Sequence, residues 1–237
     1  MSAKRKIVIL SGAGVSAESG LGTYRDNGGL WDSYDPMEVA SIQGWRANPR
    51  KVLEFYNMQR EKLSAVQPND AHRTIASLEN DYDVTVITQN VDNLHERGGS
   101  TKVIHLHGEA TKIRPDHGIY DRNGSEAEVE DIGYSKVSLG DCNARGIQYR
   151  PHIVFFGEDV PKIREAVEII SRADIVVIIG TSMSVYPAAS LYLYAPDNCS
   201  IYYIDPRECP VRDGRITHIK GTAVDGMKKL QEILKDS

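Results

Sequence analysis

The sequence has little cysteine: three residues in 237, Cys142, Cys199 and Cys209, odd in number and far apart. That set supplies neither a disulfide framework nor a complete zinc site. It points to a reducing compartment, with the cytoplasm as the expected location. A run of about 18 apolar residues is missing, so no membrane-spanning helix is expected. The basic N-terminus is followed by only four apolar residues, Ile7 to Leu10. A signal segment needs roughly 7–15, so the stretch reads as a buried first strand. Basic excess is also missing: 28 Lys and Arg face 33 Asp and Glu, a net charge of −5, which argues against a nucleic-acid binder. Internal repeats, low-complexity tracts and an interdomain linker are not visible, so one catalytic unit is expected. What is present, 41% hydrophobic and 26% charged residues, excludes long disorder and fibrous repeats.

Apolar runs of strand length recur at Lys6–Ser11, Val84–Thr88, Lys102–Leu106, Ile153–Phe156, Ile175–Gly180, Ile201–Asp205 and Ile216–Lys220. Most lack alternation, as strands buried on both faces do. Helical spacing covers Pro49–Ala65, Asp70–Asn80, Lys162–Arg172 and Ala223–Lys235. Alternating strands and helices imply an α/β fold: a Rossmann-like parallel sheet with helices on both faces. Two regions break the rhythm, residues 20–50 and the polar stretch 109–149, and imply a smaller lobe. The expected division is a core of about 5–30, 75–108 and 150–235, with the lobe from about 31–74 and 109–149.

The first strand runs into Gly12-Ala13-Gly14-Val15-Ser16-Ala17, a G-x-G-x-x-A turn. Glycines there permit tight turning and close approach of a pyrophosphate, although such a turn is also found without a ligand. No convincing acidic residue follows a second strand about 20 positions on, so an ordinary dinucleotide fold is not indicated. Thr23-Tyr24-Arg25-Asp26 opens a glycine-bearing loop that is either a lid or a plain surface loop. Gln89, Asn90, Asp92 and Asn93 cluster after a buried strand, where ligands of open α/β sheets bind; helix capping is the plainer alternative. In His105-Leu106-His107-Gly108-Glu109, alternation puts both histidines on one face, as a general base, a structural residue or half a metal site. Residues Arg150 to Glu158 form an extended apolar segment, a core strand or an edge that accepts a peptide. Gly180-Thr181-Ser182 is a second strand-to-loop turn with hydroxyls.

In this order, GAGVSAESG, TYRD, TQNVDNLH, HLHGE, RPHIVFFGE, GTSMSVYPA and the IDP ending at Pro206 closely resemble the sirtuins, the NAD-dependent protein lysine deacylases. The likeness runs from about residue 5 to about residue 232. It implies that Gly12, Ala13, Gly14, Ser16 and Ala17 hold the NAD phosphates, and that Tyr24 and Arg25 lie on the cofactor loop. Gln89, Asn90 and Asp92 would line the nicotinamide and ribose pocket, with His107 as the catalytic base and Asn90 and Asp92 assisting. Gly180, Thr181, Ser182 and Asp205 would contact the adenosine side, and Ala223 the adenine. Val154, Phe155, Phe156, Gly157 and Glu158 would pair with the substrate peptide. The implied reaction transfers the acyl group of a protein lysine to ADP-ribose and releases nicotinamide.

The chain departs from the family's pattern twice. Two C-x-x-C pairs common in sirtuins are reduced to Cys142, and one thiol cannot form a four-ligand zinc site, even with His117 or Asp141 invoked. No metal is expected, and the 109–149 lobe should be held by packing and hydrogen bonds. Phe55-Tyr56-Asn57-Met58-Gln59-Arg60 resembles the F-Y-N-x-R-R of a bacterial branch whose Tyr and first Arg are associated with succinyl groups. Here Tyr56 and Gln59 share a helix face. Gln59 lacks the charge that grips a carboxylate, and Arg60 reads as a solvated surface charge. Acetyl is therefore expected over succinyl. The partners are acylated lysine proteins, without nucleic acid or membrane, and a monomer is the default. Competing activities are ADP-ribosyl transfer or NAD hydrolysis in the same pocket, and an NAD- or ADP-ribose-binding module without turnover.

Overall fold

The computed structural model describes residues 4–23, 30–116 and 128–235. In chain order, β1 (Lys6–Ser11) precedes α1 (Gly14–Ala17), α2 (Leu30–Ser33), α3 (Pro36–Val39), α4 (Ile42–Ala47) and the long α5 (Pro49–Ala65). Then come α6 (Asp70–Ser77), β2 (Asp83–Thr88), α7 (Leu94–Arg97), β3 (Val103–His105), β4 (Gly108–Pro115), β5 (Glu130–Asp131) and β6 (Tyr149–Ile153). The chain closes with α8 (Ile163–Ile170), β7 (Ile175–Ile179), β8 (Ser200–Asp205), β9 (Ile216–Lys220) and α9 (Ala223–Lys235).

Six strands form a parallel sheet in the order β3-β2-β1-β7-β8-β9. Both faces are covered, which is why β1 and β7 do not alternate. Ile7, Ile9, Val177 and Ile179 pack on one side with Ala71 and Ile75 of α6 and Met227, Leu230 and Leu234 of α9. Val8, Leu10, Val176 and Ile178 pack on the other with Ala166 and Ile170 of α8. Each such fully buried aliphatic side chain is worth roughly 1.5–3 kcal/mol relative to exposure. The strand order reverses between β1 and β7, so a crevice opens at their C-terminal ends.

The smaller lobe has its own antiparallel sheet, β5-β4-β6. Its core joins Trp45, Val52, Leu53, Phe55 and Tyr56 to Ile113, Val137, Ile153 and Phe155. α5 starts where Asn48 accepts a hydrogen bond from Lys51 N at 3.0 Å and Pro49 pre-sets the first turn. It is stitched to the lobe by Asn57, whose amide donates to Val137 O and accepts from Val137 N, both at 2.9 Å.

The sequence expectations need three corrections here. Ile153–Phe156 is not a strand of the parallel sheet. The strand is Tyr149–Ile153, which pairs antiparallel with β4, and Phe156 makes only an isolated bridge to Ser41. An apolar run has the same composition in either sheet, and its partner strand decides. Arg60 is fully buried rather than solvated, because Ala110 O and Asn57 Oδ1 accept its guanidinium hydrogens at 3.0 and 2.5 Å. β3 ends at His105, so the two histidines of HLH do not share a strand face.

Candidate active site

The crevice is a cavity of about 950 Å³ between the sheet ends and the smaller lobe, in the range of a ligand site. Its floor is made of two glycine turns seated on each other. Gly14 N donates to Gly180 O at 2.8 Å and Gly12 N to Ile179 O at 3.1 Å. A Cβ at Gly12 would come within 2.8 Å of Gly180 O, and one at Gly14 within 2.7 Å of Gly180 Cα. Glycine is required there so that the turns can interlock. The result is a floor that Gly12, Ala13, Gly14, Gly180, Thr181 and Ser182 line without bulky groups, which suits close approach of a pyrophosphate.

β2 delivers Gln89 and Asn90 to the same cavity. Gln89 N donates to Ser11 O at 2.9 Å, and Gln89 Nε2 to Thr181 Oγ1 at 3.1 Å. Asn90 N is held by Thr88 Oγ1 at 3.0 Å. Asn90 Nδ2 donates to Ser16 Oγ at 3.3 Å, and Ser16 Oγ donates to Asp92 Oδ2 at 3.0 Å. That relay fixes the direction of the Asn90 amide. Burial pushes the Asp92 carboxyl up, against the opposing pull of Leu94 N and Ser16 Oγ.

His107 lines the cavity, and its Nδ1 lies 3.0 Å from Gln89 O. A carbonyl only accepts, so Nδ1 carries the proton and Nε2 keeps its lone pair. Burial holds the imidazole below its usual value, partly offset by the Gln89 carbonyl. The ring is therefore neutral near pH 7, as a general base requires. His105 is buried, with Nδ1 2.9 Å from Asn90 O and Nε2 2.8 Å from Glu96 Oε1. Behind both sit His95, 2.9 Å from Ser11 Oγ, and His72, whose ring centroid is 4.9 Å from that of His95. Burial lowers both, His72 to about 4 and His95 well below its usual value.

The opposite wall is residues 153–158. Its backbone is largely committed: Val154 N to His107 O, Phe156 N to Ala40 O, Glu158 N to Phe155 O and Phe155 N to Glu158 Oε2. Among the described residues the Gly157 N–H has no partner. The Glu158 carboxylate is gripped by both terminal nitrogens of Arg150, at 2.8 and 3.0 Å. Burial alone would raise its pKa, but Arg150 holds it below the usual value. Arg150 in turn lies 4.0 Å over the Phe155 ring.

The expected residues do not all meet. Gly12, Ala13, Gly14, Gln89, Asn90, His107, Gly180, Thr181, Ser182, Tyr56 and Val154 to Glu158 line the one cavity. Ser16 and Asp92 stand behind Asn90 and reach the cavity through it. Ala17 is exposed outside it, and Ala223 is packed in the sheet core. Both oxygens of the buried Asp205 accept from Arg207, at 3.0 and 3.2 Å, and it is Arg207 that lines the cavity. Tyr24, Arg25 and His117 lie outside the described residues. Among the described residues, Gln59 is absent from the cavity wall, and its Nε2 is buried without a hydrogen-bond partner. Sequence reasoning missed Glu96, Arg150 and Arg207. The Arg150–Glu158 spacing across one apolar segment was the available signal for Arg150.

Cys142 is exposed, and its backbone pairs with Gln148. Among the described residues one group, Glu96, His105 and Glu109, has metal-ligand spacing. Its members are already paired, Glu96 with His105 and Glu109 with Lys112 at 2.8 Å. No described helix is long and apolar enough to cross a membrane.

Residues 12–187, well over half of the chain, match the Sir2 family. An NAD-dependent protein deacylase of Helicobacter pylori strain J99 is 48% identical over 227 residues, covering 95% of this chain and 94% of the relative. A mutant Sir2 homologue solved with ADP-ribose superposes with a TM-score of 0.86 at 36% identity, covering 98% of this chain and 93% of that one. A Sir2 homolog–NAD complex gives 0.85 at 36% identity, covering 98% and 90%.

Proposed function

The chain belongs to the Sir2 family, and from that premise we propose that it removes acyl groups from protein lysines with NAD, favouring acetyl over succinyl. The observation that carries this is the His107 ring, tied through Nδ1 to Gln89 O, with Nε2 free among the described residues in a cavity walled by a bare glycine floor and by the 153–158 segment. Bound NAD supplies the ADP-ribose that accepts the acyl group as nicotinamide leaves. The glycine turns fit its pyrophosphate, and the oriented Asn90 amide fits the ribose and nicotinamide end. His107 Nε2 takes a proton from a hydroxyl as the acyl group is accepted. The Gly157 N–H, without a partner among the described residues, would bind the substrate backbone beside the acyl-lysine, and Phe55 and Tyr56 would flank the acyl chain. The three free cysteines fit a reducing, cytoplasmic setting.

The acyl preference follows from α5. Among the described residues that helix gives the cavity Phe55 and Tyr56 but no cation. Arg60 is spent on Ala110 O and Asn57, and burial pulls its pKa to about 10, with Tyr56 opposing. A succinyl carboxylate would lose its water without gaining a charged partner from this helix. Matched acetyl- and succinyl-lysine peptides with NAD, followed by mass, test the proposal. The expected result is a kcat/KM at least about ten-fold higher for acetyl, a difference of about 1.4 kcal/mol. Gln59→Arg should narrow it. Faster succinyl turnover by the unaltered protein would overturn the acyl preference, and no acyl transfer at all would overturn the proposal.

A further inference from the structure

Two consecutive backbone carbonyls, those of Gln89 and Asn90, are each held by a histidine. His107 Nδ1 donates to Gln89 O at 3.0 Å, and His105 Nδ1 to Asn90 O at 2.9 Å. The two rings then diverge. Among the described residues His107 keeps Nε2 free in the cavity, whereas His105 turns Nε2 to Glu96 Oε1 at 2.8 Å. We propose that His105 and Glu96 form a positioning pair that clamps the backbone at the Asn90 carbonyl, next to the Gln89 carbonyl that anchors His107. By doing so the pair sets the orientation of the Asn90 amide and of the catalytic His107 ring. This rests on the deacylase function proposed above.

Each end of the clamp has a defined consequence. Asn90 O would otherwise be a buried carbonyl without a side-chain donor, and slack there moves Gln89 O, the anchor of His107. Asn90 is further tied through Ser16 to Asp92, so a displaced backbone would also disturb that relay. Against burial, the Glu96 carboxyl is held below its usual value by His105. With Glu96 ionised, making both hydrogen bonds at once requires protons on both ring nitrogens, the imidazolium form. The surroundings favour that form. Burial works against the cation, but the Glu96 carboxylate and the nearby Glu109 outweigh it and hold His105 above its usual value. Other charged or titratable groups near the ring include Asp92, which its positive charge helps keep ionised, His95, which burial and then the neighbouring His72 and His105 keep neutral, Lys112, which ion-pairs with Glu109, and Arg114, His152 and Lys162, which line a small pocket together with His105. The two histidines thus divide the work. One stays neutral to accept a proton, and the other stays charged to hold the frame.

The test is Glu96→Gln, at a side chain 39% exposed and so tolerant of exchange, beside His105→Leu and His105→Asn. In Glu96→Gln the alkaline limb of the kcat profile should move to lower pH by about one unit, because the imidazolium loses its partner. The acid limb, set by His107, should stay in place. His105→Leu should cut kcat about ten-fold or more, and His105→Asn, whose amide can still donate to Asn90 O, should recover most of it. A reduced fraction of folded enzyme would scale the whole profile without moving one limb. An unmoved alkaline limb in Glu96→Gln, or no difference between the Leu and Asn variants, overturns the proposal. Histidine side-chain 15N NMR reads the pair without turnover: two bonded ring protons on His105 near pH 7 in the unaltered protein, and one in Glu96→Gln. If the unaltered enzyme shows no acyl transfer, the functional premise fails, while the NMR result still decides whether the clamp exists.

Discussion

The parallel sheet and the smaller lobe are built on opposite principles. The sheet is filled with aliphatic side chains on both faces, Ile7, Ile9, Val177 and Ile179 on one and Val8, Leu10, Val176 and Ile178 on the other. The lobe and its junction bury three whole arginines, Arg60, Arg114 and Arg150, and depend on what these guanidiniums touch. Packing forgives exchange of one aliphatic for another. A buried cation does not, because loss of its partner leaves an uncompensated charge. The cavity lies where the two meet, with Gly12, Gln89, Asn90 and Gly180 at the ends of the sheet strands and residues 153–158 on the lobe side.

Breaking one element of each region should separate them. Arg150→Leu leaves Glu158 without its bidentate partner and should cost about 3–5 kcal/mol. Because Glu158 also staples Phe155 N, the KM for acyl-peptide should rise as well. Ile9→Ala, in the fully buried sheet core, should cost about 2–5 kcal/mol and leave that KM unchanged. Denaturant melts paired with steady-state kinetics check both. A rise in peptide KM from Ile9→Ala, or none from Arg150→Leu, would dissolve the contrast.

Acid should strike the two regions in order. His72 titrates at about 4 in the folded protein against 6.5 as its ordinary value. Between those values the unfolded chain binds a proton that the folded one refuses, so stability falls as pH drops. His72 alone accounts for a loss on the order of 3 kcal/mol, and His95 adds in the same direction. The Glu158 pKa is held below its ordinary 4.5, so its contribution is present above that value and is lost only as pH falls through the lowered one. Melting midpoints should therefore decline from pH 6.5 downward in the unaltered protein and less steeply in His72→Gln. Equal slopes would contradict the histidine origin.

The smallest effect sharpens the 153–158 wall. Gly157 has φ +91°, and an added Cβ would come within 3.1 Å of Ile42 Cγ2. Gly157→Ala should cost about 1–2 kcal/mol. It should raise the KM for acyl-peptide while nearly preserving the KM for NAD, as initial-rate kinetics can show.

The sheet was legible because β1 and β7 announce themselves as apolar runs and β2 as a short Val- and Ile-rich run, and α5 through its helical spacing. Among the candidate site residues, those at strand ends, Gly12, Gln89, Asn90, His107 and Thr181, do meet in one cavity. The lobe was less legible for the reason that distinguishes it. Arginine in a sequence reads as surface, and only tertiary partners reveal Arg60 and Arg150 as buried. Residues 153–156 carry the composition of a sheet strand, yet β4, tens of residues upstream, claims Tyr149–Ile153 for the other sheet. The separate fates of His105 and His107 depend on where β3 ends, a boundary that alternation alone does not mark.

The most direct measurement is the mass of the acyl product formed by the unaltered protein and by His107→Ala from NAD and an acetyl-lysine peptide. The account predicts O-acetyl-ADP-ribose in step with free lysine peptide, falling at least about 100-fold in the variant at an unchanged melting midpoint. Near-normal product from His107→Ala, or nicotinamide release without any acylated ADP-ribose, would contradict it.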